Sequence, residues 1–365
     1  MGTNKTSAKT NGGNFFEDFR VGQKIRHATP RTLTAGDAAL YTALYGSRFP
    51  VTSSAEFARS VGLPEAPMDD LLTFHIVFGK TVPDISLNAV ANLGYADCRF
   101  LKAVYPGDTI STTSEVVGLK QNSNGKTGVV YVRSVGVNQK NETVLDYVRW
   151  VMVRKGNLDA PAPETVIPEL PDVVTPDRLV PGAGLNMEAY DAELAGSPHK
   201  WGDYAVGEKI DHVDGITIEA AEHMMATRAY QNTARVHFNL HAEKEGWLKE
   251  RIVYGGHVIS LARALSFNGL GNAAFIAAIN GGQHTAPCIA GDTVYAWSEV
   301  LDKAELPDSS GKGRSDLGAL RLRLVATKNQ PCADFPYKIE GDKGEDGKRD
   351  PAVVLDLDYW AIMPR

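Results

Sequence analysis

"YPGDTISTTSEVV" at residues 105–117 and "IAGDTVYAWSEVL" at residues 289–301 are two versions of one string. A second pair, "FEDFRVGQKI" at 16–25 and "WGDYAVGEKI" at 201–210, follows the same order. Gly22 and Gly207 lie 185 apart, and Gly107 and Gly291 lie 184 apart. Two matches at nearly one offset, in one order, indicate a duplicated domain.

The segments after each Gly-Asp-Thr turn are rich in β-branched residues and alternate in polarity. In the first copy "TISTTSEVVGLKQ", "TGVVYVRSVGVNQ" and "ETVLDYVRWVMVRK" are predicted strands. In the second copy "TVYAWSEVLDKA", "LGALRLRLVATK" and "VVLDLDYWAIM" match them. "NSNG" before Lys126 has the composition of a hairpin turn. Upstream of the second set, "GHVISLARALSFNG" places Val258, Leu261, Ala262 and Leu265 on one helical face. A long antiparallel sheet curled around one central helix satisfies this order, because the helix covers the apolar face. The fold class is therefore α+β, a double hotdog. The expected divisions are a loose tail over 1–13, a first hotdog over 14–155, a Pro-rich connector over 156–199 and a second hotdog over 200–365.

The bulk composition removes several classes. The chain has 365 residues, 43% hydrophobic and 22% charged, with a formal net charge of −6. Such a balance gives no reason to expect a nucleic-acid partner. The most apolar window, "SLARALSFNGLGNAAFIAAINGG", is broken by Arg263, Asn268 and several glycines, so no membrane span is expected. Cys98, Cys288 and Cys332 are scattered, which suits a reducing cytoplasm rather than a disulfide framework or a cysteine metal site.

Between a predicted helix and the central helix of the second copy stands "YQNTARVHFNLH", Tyr230 to His241. Asn232 and His237 lie five apart, and "IVYG" ends at Gly255, eighteen past His237. Taken alone, His237 is a histidine at a helix start, Asn232 a helix cap, Arg235 a surface cation and Gly255 a packing glycine. His241, four past His237, has the spacing of a helical zinc pair, but no third ligand is evident and no metal is expected. "GLGNAA" at 269–274 imitates a dinucleotide loop, yet it follows a helical run rather than a strand.

With "NFFEDFRVGQ", "FHIVFGKTVPDISLNAVANLGYA" and "GDTVYAWSE", these strings resemble the MaoC-like, R-specific enoyl-CoA hydratases over both halves. Among them the chain looks most like the mesaconyl-CoA hydratases, also called 2-methylmalyl-CoA dehydratases. The resemblance implies reversible hydration of an enoyl-CoA, a step in the assimilation of two-carbon units. It implies a CoA-thioester substrate, no separate cofactor, and no necessary partner beyond a possible homodimer.

The resemblance also assigns roles. His237 matches the family's acid–base histidine, and Gly255 matches the glycine whose N–H receives the thioester oxygen. Tyr230, Tyr254, Gly256 and Arg235 become substrate contacts. Asn232 stands where the family has aspartate, and Ala234 with Arg235 replaces Asn-Pro. An amide cannot take a proton, so His237 is left as the proton carrier. The substitution has an expected reason. The dicarboxylic substrate carries a free carboxylate beside the carbon that receives water, and a protein carboxylate there would repel it. Arg235 is the expected partner of that carboxylate. The offset of 185 carries 232, 237 and 255 to Ser47, Thr52 and Asp70, so one active site, in the second half, is expected. The alternatives are a hydratase of another branched or dicarboxylic enoyl-CoA, a non-catalytic acyl-CoA binder, and a thioesterase of the same fold.

Overall fold

The computed structural model describes residues 9–182, 184–246, 248–307, 312–338 and 349–365. The first repeat contributes β1 (Lys24–Arg26), β2 (Arg31–Thr32), helix α1 (Ala35–Tyr45) and helix α2 (Asp70–Thr81). Its long strands are β3 (Ala89–Phe100), β4 (Thr109–Gln121), β5 (Thr127–Val137) and β6 (Thr143–Arg154). The second repeat contributes β7 (Lys209–Thr217), helix α3 (Ala220–Ala229) and helix α4 (Gly255–Leu265). Strands β8 (Phe275–His284), β9 (Thr293–Pro307), β10 (Gly313–Lys328) and β11 (Val353–Pro364) complete it.

The two repeats are joined more intimately than two hotdogs in tandem. All long strands belong to one antiparallel sheet with the path β1-β4-β5-β6-β3-β8-β11-β10-β9-β7. The first five strands mirror the last five, and the seam is the β3–β8 pair, with Ala96 opposite Gly281. Neither seam strand is legible as a strand, since both are rich in alanine and glycine.

The repeat extends to individual hydrogen bonds. Gly107 and Gly291 have φ of 96° and 95°, a conformation that favours glycine, which explains their recurrence. Asp108 and Asp292 each accept the backbone N–H three residues upstream, at 2.9 and 3.0 Å. His27 and Ser114 meet at 2.8 Å, as do His212 and Ser298.

Helices α2 and α4 are the two central helices. Leu71 to Thr81 and Gly256 to Leu265 are all buried. Val258, Leu261, Ala262 and Leu265 lie on α4 and are buried, and so is the rest of that helix after Gly255. The curled sheet covers each helix on one side and the other repeat covers it on the other, which leaves no face for water. His75 and Ser260, the sixth residue of each helix, meet where the helices cross.

Residues 156–199 run back over the outer face of the sheet. Trp360 donates to the Val174 carbonyl at 2.9 Å, and the Val174 N–H reaches Asn280 at 2.9 Å. Leu179, Leu185 and Met187 are buried there. Of the tail expected over 1–13, positions 1–8 lie outside the described residues, while Gly12 accepts a hydrogen bond from Asn88 at 3.0 Å. The three cysteines are free and buried. Among the described residues no helix is long and apolar enough to cross a membrane.

Candidate active site

The polar run is not one helix. A single 3-10 turn covers Arg235–His237, and a separate short helix covers Leu240–Glu243, so His237 and His241 do not share a helical face. Among the described residues no group of three His, Cys, Asp or Glu is placed to hold a metal ion.

The turn is clamped to the strand of chain that leads into α4. The Ile252 N–H donates to the Val236 carbonyl at 3.1 Å. His237 Nδ1 lies 2.8 Å from the Ile252 carbonyl. A carbonyl only accepts, so Nδ1 carries the proton and Nε2 presents a lone pair. The His237 ring also packs edge-on against Tyr254, 5.6 Å between centroids. Burial lowers its pKa to about 4, against the opposing pull of the Ile252 carbonyl. The imidazole is thus a neutral acceptor at physiological pH, held beside the start of α4.

Gly255 and Gly256 open that helix, and no side chain caps it. Their N–H groups have no acceptor within the helix, as holds for any first turn. A Cβ on Gly255 would sit 2.4 Å from His284 Nε2, and one on Gly256 would sit 2.4 Å from Tyr254 and 2.5 Å from His75. Only glycine leaves room here. The arrangement combines a base, a donor pair and the positive end of a helix dipole, which suits a reaction that develops negative charge on a carbonyl oxygen.

Asn232 is 4% exposed and does not cap the Arg235–His237 turn, whose N-cap is Ala234. Its Oδ1 accepts the Ala234 N–H at 3.0 Å, which ties the loop. Its Nδ2 has no partner among the described residues, and Asn232 lines a cavity of about 600 Å³. Thr233 and Phe238 line the same cavity from the second repeat, and Ala28, Thr29, Gly79 and Lys80 from the first.

Three of the expected substrate contacts take the following places. Arg235 is exposed, and it does not line this cavity; nor do His237, Gly255 and Gly256, which lie where the loop meets the start of α4. In a 3-10 turn, residues two apart point about 120° apart, so Arg235 and His237 do not face the same way. Tyr230 and Tyr254 are buried beneath the site with their hydroxyls already engaged. Tyr230 meets Tyr45 at 2.7 Å, and Tyr254 meets His75 Nδ1 at 3.3 Å. They form the floor and do not offer hydroxyls to a ligand.

Two histidines escaped the motif. His284, at the end of β8, presses on Gly255, and its Nε2 is buried without a partner. His223 in α3 is fully buried, and neither ring nitrogen has a partner. His284 carries no sequence signal beyond being a polar residue at the end of an apolar run.

The equivalent place in the first repeat is closed. Asp70 takes the position of Gly255, and its carboxyl accepts the Ile276 N–H at 2.8 Å. Burial pushes its pKa up to about 8. Thr52 bonds its own chain at the Phe49 carbonyl, and Ser47 is buried. The space beside Asp70 measures about 30 Å³.

The same construction is found in known proteins. A dehydratase named beta-methylmalyl-CoA dehydratase from Chloroflexus aurantiacus is 67% identical over 98% of this chain and 99% of its own. A mesaconyl-CoA hydratase from Cereibacter sphaeroides is 60% identical over 98% of this chain and 100% of its own. The solved structure of a MaoC-domain dehydratase from Chloroflexus aurantiacus superposes with a TM-score of 0.93 at 66% identity, covering 98% and 99% of the two chains. A Mycobacterium tuberculosis protein with a double hotdog fold gives 0.70 at 25% identity, covering 97% and 99%. The family described as mesaconyl-CoA hydratase matches residues 3–331, across both repeats and the connector. With the fold, the duplicated sheet and the chain's length all shared, this protein belongs to the mesaconyl-CoA hydratase family.

Proposed function

We propose that this chain reversibly adds water to mesaconyl-CoA to give β-methylmalyl-CoA, with one active site built on the second repeat. The observation that carries the reading is the hydrogen bond from His237 Nδ1 to the Ile252 carbonyl. It leaves the Nε2 lone pair free close to the start of α4, which supports a proton-accepting role for His237.

The steps balance with this chain's groups and water alone. Water bound by Asn232 Nδ2 gives a proton to His237 Nε2 as its oxygen bonds to the β-carbon. The double-bond electrons move toward the thioester, whose oxygen becomes an enolate received by the Gly255 and Gly256 N–H groups. The enolate then takes the proton from the His237 imidazolium at the α-carbon, and the imidazole returns to its neutral form. The low-dielectric setting strengthens the donors' hold on the enolate. Dehydration is the same path reversed. The CoA portion enters as part of the substrate.

The reading is tested by following the ultraviolet absorbance of the enoyl thioester after mixing with mesaconyl-CoA. Loss of absorbance without release of free thiol is expected. Free thiol would make the protein a thioesterase, and tight binding without any change would make it an acyl-CoA binder. The free, buried cysteines support a reducing compartment, in keeping with a cytoplasmic enzyme.

A further inference from the structure

The cavity that Asn232 lines has a wall from the first repeat, and that wall carries a buried cation. Lys80, in the last turn of α2, is 3% exposed. Its ammonium donates to Thr29 Oγ1 at 3.3 Å and to Gln231 Oε1, both neutral acceptors. Among the described residues no carboxylate pairs with it. Its neighbour Arg31 is paired with Asp37. Burial, then Arg31, lowers the Lys80 pKa. An ammonium taken from water without a counter-ion is costly to a fold. Such an arrangement on a cavity wall is prepared for an anion that arrives with the ligand.

The place of that anion is set by the reaction. In the reading above, the carbon that receives water also bears the substrate's free carboxylate. If Asn232 holds the water, the carboxylate lies within a bond or two of that point. Lys80 is fastened to the adjacent residue, Gln231, which is held in the left-handed region at φ 52°. Gly79 brings the two segments together: a Cβ there would lie 2.0 Å from the Tyr230 carbonyl oxygen and 3.3 Å from the Asn232 nitrogen. The other cation on the cavity, Arg228, is exposed at its rim.

We propose that Lys80 binds the free carboxylate of the acyl group, so that the first repeat supplies the selectivity for a dicarboxylic acyl chain while the second supplies the chemistry. The proposal rests on the hydratase reading for where the acyl group sits.

Succinyl-CoA and butyryl-CoA test it by titration calorimetry. They differ at the far end of a four-carbon acyl chain, and neither has a double bond to hydrate. The natural chain should bind succinyl-CoA at least ten-fold tighter than butyryl-CoA. Lys80→Met should weaken succinyl-CoA by about 10- to 100-fold and leave butyryl-CoA within about two-fold, because one charge-assisted contact is lost. Lys80→Arg should keep most of the preference. Should Lys80→Met fail to fold, Lys80→Gln carries the same expectation. Equal affinity of the natural chain for the two thioesters would overturn the proposal. So would an equal loss for both in the variant, which would place Lys80 on the CoA phosphates instead. Absence of hydration with the succinyl-CoA preference intact would strike the hydratase reading and not this one.

Discussion

The hydroxyls of Tyr45 and Tyr230 meet at 2.7 Å, although the residues are 185 positions apart and are each other's counterparts in the two repeats. His75 and Ser260, also 185 apart, meet at 2.8 Å. Counterparts can touch only on the axis that relates the copies, so that axis passes through the floor of the active site. The floor is a polar seam: Tyr45 also meets His257 Nδ1 at 3.0 Å, and Ser260 accepts from Tyr41 at 2.9 Å.

Removal of one hydroxyl from this seam strands its partners, and the two tyrosines differ in how many they strand. Tyr45→Phe leaves both Tyr230 and His257 without their bond, whereas Tyr230→Phe leaves Tyr45 still bonded to His257. A buried group left unpaired costs about 1–3 kcal/mol. Tyr45→Phe should therefore lower stability more than Tyr230→Phe. The double variant should cost no more than about the larger single change, since both act on one bond. Urea denaturation of the three variants checks this; simple additivity would mean that the seam is not coupled.

His237 carries both proton transfers in the proposed mechanism, so His237→Ala should slow hydration by about 10²- to 10⁴-fold. The pH profile is the sharper test. With its pKa lowered to about 4 by burial, Nε2 stays unprotonated well below neutrality. The rate constant kcat/KM should hold level from pH 7 to about 5 and fall only below that. A half-maximal point near 6.5, the ordinary histidine value, would show a water-exposed imidazole in the free enzyme.

Asn232→Asp puts a carboxyl where the chain has an amide, and it should slow mesaconyl-CoA. The side-chain oxygen that accepts from Ala234 at 3.0 Å is retained in aspartate, so the loop keeps its shape. A second carboxylate about 4 Å from the substrate's own costs roughly 4 kcal/mol at an effective dielectric near 20. Crotonyl-CoA, which lacks that carboxylate, should be spared. Faster hydration of mesaconyl-CoA by the variant would refute the electrostatic reason for asparagine.

Much of this architecture is legible in the sequence because alternation survives wherever a strand has one wet face. Thr109–Gln121 is legible to the residue, and β5, β6, β9, β10 and β11 within a few positions. Strands β3 and β8 are silent because close contacts demand small residues there. A Cβ at Gly94 would strike Trp150 at 2.4 Å, and one at Gly282 would strike Leu357 at 2.9 Å. The site divides in the same way. His237 and Gly255 lie in one local stretch, and the family resemblance picks them out. Lys80 reaches Gln231 across 151 residues, and His284 meets Gly255 only once β8 has joined the sheet.

Gly79 is the residue that brings the repeats into contact at the cavity, and Gly79→Ala sets two effects against each other. In a helix interior alanine is favoured over glycine by about 1 kcal/mol. Here the added methyl would lie 2.0 Å from a backbone oxygen in the Tyr230–Asn232 segment, and backbone cannot turn aside as a flexible side chain does. Overpacking of this kind costs about 1–3 kcal/mol. The variant should be less stable than the natural chain, with KM for mesaconyl-CoA raised as Asn232 shifts. A gain in stability would show that the contact yields easily.

Acid should unfold this protein earlier than its carboxylates alone would dictate. Burial lowers the pKa of His75 and His257 to about 3 and of His212, His223, His237 and His284 to about 4. His27 is lowered as well. In the unfolded chain each titrates near 6.5. Above that pH both states are neutral at these rings, and stability is intact. As pH falls below 6.5 the unfolded chain takes up protons that the folded chain refuses, so stability drains until the folded values are reached, by about 1.4 kcal/mol per unit for each ring. Asp69 and Asp70, raised by burial, act in the opposite direction, since the folded chain holds their protons where the unfolded chain has lost them. Two carboxyls are outnumbered by the histidines, so the net slope favours unfolding in acid. Urea midpoints should fall gently as pH rises from 7 to 8, where the folded chain still holds the Asp70 proton that the unfolded chain has lost, and drop steeply as pH falls from 6 to 5, with several protons taken up on unfolding. A midpoint unchanged at pH 5 would mean that these imidazoles are reached by water in the folded protein.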